Sequence, residues 1–89
     1  MQILDYVLKM TCGACPEQYD VFDSDGKQVG YLRLRHGGFR ADYPDYGGDT
    51  VYRYSFDDAW KGIFDDEERE QYLTEAVKAI HNHERRQNA

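Results

Sequence analysis

The stretch Gln18-Tyr-Asp-Val-Phe-Asp-Ser-Asp-Gly-Lys-Gln-Val-Gly-Tyr-Leu-Arg-Leu-Arg-His-Gly-Gly-Phe-Arg-Ala-Asp-Tyr-Pro44 decides the fold. It holds two chain reversals in tandem. Asp25-Gly26 offers the pair of positive-φ positions that a two-residue type I′ turn requires, since neither residue pays much to sit there. His36-Gly37-Gly38 offers the second reversal, with two glycines able to take a bulge or a left-handed conformation. Between them Val29, Tyr31, Arg33 and Arg35 alternate with Gly30, Leu32 and Leu34, the period of two that marks a strand. A three-stranded antiparallel meander follows.

Working outward, Met1 to Met10 alternates imperfectly, with Leu4, Tyr6, Leu8 and Met10 on one side, and is expected as one half-buried strand. Thr11 to Glu17 is expected as a loop, closed by Pro16. Strands are then expected at about Gln18–Asp23, Gln28–Arg35 and Phe39–Tyr43, where Pro44 ends the pairing because it has no N–H to give. Asp45-Tyr-Gly-Gly-Asp49 is turn chemistry, and Thr50–Phe56 alternates as a further strand. After an irregular segment over Asp57–Phe64, Asp65 and Glu68 make a capping box. Tyr72, Leu73, Ala76, Val77 and Ile80 form the apolar stripe of the helix it opens. The pattern defines an α+β fold: an antiparallel meander of about five strands with one carboxyl-terminal helix on one face, a single domain over residues 1–89.

The 89 residues carry a formal net charge of −6, with eight tyrosines, four phenylalanines and one tryptophan. That balance opposes direct nucleic-acid and anionic-membrane binding and favours a basic partner. No run of 18 apolar residues offers a membrane span, and the amino terminus lacks the pattern of a signal peptide. The expected setting is soluble and cytoplasmic, and two cysteines spaced Cys12-x-x-Cys15 agree with a reducing compartment.

Three groups of residues are candidates for function. Asp42, Tyr43, Asp45, Tyr46, Asp49, Asp57, Asp58 and Trp60 make an acidic, tyrosine-rich stretch suited to gripping a basic protein surface, because carboxylates imitate a phosphate row and phenol rings are rigid contacts. Arg33, Arg35 and Arg40 fall in a basic run with no acid between Lys27 and Arg40, and form an alternative anion-binding set with Tyr31. Cys12 and Cys15 could supply two thiolates to a zinc, but no second cysteine pair exists and His81 and His83 point apart on a helix. No cofactor is expected. Catalysis has no support in the chain: there is no glycine-rich phosphate loop, no nucleophile with an evident base and no paired-histidine zinc motif. The strand-then-helix order is shared with double-stranded-RNA-binding domains. Those place lysines where this chain has Asp65-Asp66-Glu67-Glu68. An exposed edge strand leaves a homodimer open.

The runs Pro16-Glu-Gln-Tyr-Asp-Val-Phe22, Gly26-Lys-Gln-Val-Gly-Tyr-Leu-Arg-Leu-Arg-His-Gly37, Phe39-Arg-Ala-Asp-Tyr-Pro44 and Gly62-Ile-Phe-Asp-Asp-Glu-Glu-Arg69 resemble a group of short proteins carried by phages and mobile elements of gut bacteria. The group brings no chemistry and no site residues to transfer. The resemblance implies a setting in which small acidic domains act as stoichiometric inhibitors of host defence, anti-CRISPR proteins among them. The combined expectation is a non-enzymatic protein-binding module that inhibits a nucleic-acid-binding or defence protein. A zinc module and an anion binder are the alternatives.

Overall fold

A computed structural model describes residues 1–12 and 16–87. Six strands, β1 (Gln2–Ile3), β2 (Tyr6–Cys12), β3 (Glu17–Phe22), β4 (Gln28–Arg35), β5 (Gly38–Tyr43) and β6 (Asp49–Ser55), form one antiparallel meander in sequence order. Helix α1 (Asp66–Gln87) lies across one face and packs on β4, β5 and β6. The expected α+β architecture is therefore present, with one more strand than the alternation over Met1–Met10 indicated. Leu4 breaks that segment: it takes a left-handed φ of 55° and folds Gln2–Ile3 back onto β2, pairing Ile3 with Tyr6. Ile3, Tyr6 and Leu8 are buried as a result, while Leu4 and Met10 stay exposed.

The two reversals exchange roles. At Asp25-Gly26 only Gly26 has positive φ, at 83°, so the turn is not type I′. Asp23 holds it instead, its Oδ1 accepting from the N–H groups of Asp25 and Lys27, both at 2.9 Å. The type I′ requirement is met at His36 (φ 52°) and Gly37 (φ 77°), a two-residue link between β4 and β5. Histidine tolerates the left-handed region better than most side chains, and its choice sets the register Arg35↔Gly38, Arg33↔Arg40 and Tyr31↔Asp42.

The register puts Tyr19, Val21, Leu32, Leu34, Phe39 and Ala41 under the helix, where Leu73, Ala76, Val77 and Ile80 close over them. Each such burial contributes roughly 1.5–3 kcal/mol for the larger side chains. Gly30 makes the close approach possible, since a Cβ there would stand 2.4 Å from Ile80 Cδ1. The helix begins as its sequence indicates: the Glu68 carboxylate reaches back to accept from Asp65 N–H at 2.8 Å.

Candidate functional site

With the helix on one side, the period of two sends Arg33, Arg35, Arg40 and Arg53 to the other. Their alignment comes from register. Gln18 stands opposite Arg33, Arg33 opposite Arg40, and Arg40 opposite Arg53, so one row crosses β3, β4, β5 and β6. Adjacent strands lie about 4.8 Å apart, and directly opposed like charges destabilise a sheet. A groove of about 410 Å³ runs over this row, lined by Arg33, Arg35, His36, Arg40, Arg53 and Ser55 together with Gly38 and Phe39. Among the described residues no acidic side chain lines it.

Among the described residues one acid, Asp42, stands at ion-pair distance from these cations. Arg40 Nε lies 3.4 Å from Asp42 Oδ2, but the nitrogen is buried and makes no hydrogen bond, so the contact is one of charge alone. Asp42 is itself 1% exposed. Its oxygens already accept from Thr50 Oγ1 at 2.9 Å and Gly47 N at 3.3 Å. Among the described residues Arg33, Arg35 and Arg53 have no acid at ion-pair distance. Tyr46 folds over the middle of the row. Its ring meets Tyr31 edge-on at 5.3 Å, and the Arg33 and Arg40 guanidinium carbons each lie 6.0 Å from its centroid. Burial pushes the Tyr31 phenol above its ordinary value, with Arg33 and Arg40 pulling it back.

The acidic stretch does not gather into one surface. Asp42 is internal, and Tyr43 is half-buried with its ring edge-on to His83 at 4.8 Å. Asp45 and Tyr46 are exposed on the β5–β6 loop, and exposed Asp49 lies 3.7 Å from His83 Nε2. Asp57, Asp58 and Trp60 sit beyond the far end of β6, a strand of seven residues that spans about 20 Å. There Asp58 Oδ1 accepts from Trp60 N–H at 2.9 Å, and the indole is 84% exposed. Cys12 is a free, half-buried thiol at the end of β2; Cys15 lies outside the described residues. Among those described, no three His, Cys, Asp or Glu side chains are grouped to hold a metal ion.

Sequence reasoning passed over two charged residues, one that matters to the fold and one to the site. Glu17, 1% exposed, accepts from Arg69 Nε at 2.8 Å, from Phe64 N–H at 3.0 Å and from the Tyr19 hydroxyl. Burial pulls its carboxyl up, but the hydrogen bonds from Arg69, Tyr19 and Phe64 outweigh that and hold it below the ordinary range. The signal was present: Glu17 falls in phase with the inward Tyr19 and Val21. Arg53 was missed as part of the anion set because its partners depend on register across β5 and β6.

Comparison of the chain with protein-family models, with curated proteins and with solved structures finds no match in any of the three. The phage or mobile-element setting accordingly stays an implication of the sequence resemblance, and function is argued from the site. No helix among the described residues is long and apolar enough to cross a membrane.

Proposed function

We propose that the chain is a binding module for a phosphate-bearing polyanion, held on the open sheet face by Arg33, Arg35, Arg40 and Arg53. The observation that supports it is the row of mutually opposed guanidiniums with no acid among the described residues that line its groove. Such a row costs folding energy, and an anionic ligand removes the cost. Guanidinium forks bind phosphate oxygens in pairs, and several phosphates in series engage several arginines at once. Ligand binding stabilises the folded state by about 2.7 kcal/mol at a hundredfold excess over Kd, which for a domain of this size raises the melting temperature by roughly 11–22 °C. Inorganic polyphosphate is expected to produce such a shift at low salt and to lose it in an Arg33→Ala, Arg53→Ala double variant. A wild-type melt that polyphosphate does not move refutes the proposal.

A second reading keeps the expected inhibitor role. The exposed Asp57, Asp58 and Trp60 form one shoulder that suits a basic groove on a nucleic-acid-binding or defence protein. In that case charge reversal at Asp57 and Asp58 weakens the complex and flattens its salt dependence; capture of the same partner with undiminished affinity by the reversed variant removes this reading.

A further inference from the structure

Resting on the anion-binding reading, we infer that the polyanion is a single-stranded nucleic acid whose bases stack on Trp60 and Tyr46 while its phosphates lie on the arginine row. The two most exposed aromatic rings flank that row along the strand direction. Tyr46, 64% exposed, lies over Arg33 and Arg40 on the Tyr31 side. Trp60, 84% exposed, sits on the side of the β4–β5 turn, where it lines a groove of about 350 Å³ with Pro16, Gln18, Arg35 and His36. Arg35 and His36 also line the arginine groove, so ring, cations and ring make one continuous track. Aromatic platforms interleaved with a cationic path are the means by which single strands are held without sequence readout, because every base presents a π-face.

The alternatives fit less well. A run of aspartates or glutamates has charge for the arginines but no aromatic ring for an indole held out in solvent. A duplex keeps its bases stacked on one another, and its grooves are entered by a helix or a two-stranded ribbon. Here the one helix among the described residues covers the opposite side of the sheet and opens with Asp66, Glu67 and Glu68. The same segregation answers the net charge of −6: the helix-start acids lie across the sheet, and at physiological salt fields fade over about 8 Å. Close to the track, Asp42 pairs with Arg40 at 3.4 Å, and exposed Asp45, Asp57 and Asp58 stand beside its two aromatic rings, so binding is expected to need the arginines to outweigh these carboxylates and to weaken steeply with salt.

Trp60 is the sole tryptophan, so its fluorescence reports the contact directly. Titration with an oligothymidylate of about twelve nucleotides is expected to quench that emission. Trp60→Ala is expected to lower affinity for the oligothymidylate, followed by a label on the oligonucleotide, about tenfold or more, while Trp60→Phe restores most of it. Inorganic polyphosphate is expected to bind Trp60→Ala as it binds the wild type. Polyphosphate binding without quenching by oligothymidylate, or undiminished oligothymidylate affinity in Trp60→Ala, overturns stacking and leaves the arginine reading standing. Equal loss of both ligands in Trp60→Ala overturns it too, as does preference for a polyglutamate peptide over the oligothymidylate. If neither polyanion binds the wild type, both readings fall.

Discussion

Replacing Arg53 with glutamine is expected to strengthen the fold and weaken the binding. Arg53 is exposed and stands directly opposite Arg40; Arg40 has Asp42 at 3.4 Å, while Arg53 has no acid at ion-pair distance among the described residues. Opposed side chains start about 5 Å apart and their charged ends spread to about 8 Å; at those separations two unit charges in water repel by about 0.5–0.8 kcal/mol. Glutamine keeps much of the reach of arginine without the charge. Arg53→Gln should therefore melt about 2–6 °C higher in dilute buffer, and the gain should shrink in about 0.5 M salt, where screening acts within a few ångströms. Polyphosphate affinity should fall about tenfold, the worth of one charged hydrogen-bonded contact. The assay is a melt at two salt concentrations with and without polyphosphate. A variant that melts lower than wild type in dilute buffer refutes the reasoning, because it shows Arg53 contributing to the folded state instead of straining it.

Three other outcomes follow from the geometry. Gly37→Ala should cost roughly 2–4 kcal/mol in a denaturant melt, because φ is 77° and the added Cβ would lie 2.4 Å from the Asp58 carbonyl oxygen. Gly26→Ala, with φ 83° and nothing within 4 Å, should cost only about 1 kcal/mol. The Glu17 carboxyl is held below its ordinary value of 4.5 in the folded state, so the unfolded chain binds more protons. Its stabilisation is complete above about pH 4.5 and is lost as pH falls through the folded value; Glu17→Gln should flatten that part of an acid titration of stability. At neutral pH the same variant should lose about 3 kcal/mol, since Arg69 is left facing a buried neutral group, which urea melts at pH 7 will show.

Much of this architecture could be derived from local pattern. The alternation over Gln28–Arg35 correctly divides Gly30, Leu32 and Leu34 from Arg33 and Arg35, because side chains on a strand must point to opposite faces. The apolar stripe and Asp65-Glu68 likewise place the helix and its inward side. Local pattern failed at the chain reversals. Leu4 has no glycine or asparagine to announce a reversal, and the exchange between the Asp25 and His36 turns follows from which hairpin must pair flush to its end. At the site, the acidic stretch is continuous in sequence but divided by the length of β6, so neighbours in the chain became distant in space. Glu17 and Arg69 show the converse, 52 positions apart and joined by a buried ion pair.

By itself the sequence determined which residues face together along each strand and helix, since that depends only on the 2.0 and 3.6 residue periods. Tertiary structure alone decided which strands' residues stand side by side. The row Arg33–Arg40–Arg53 exists because two hairpins close in one register, and a one-residue slip in either would turn an arginine toward the helix. Register is a property of the assembled sheet, settled by the apolar face that α1 covers, and the charges on the far face are carried into line by it.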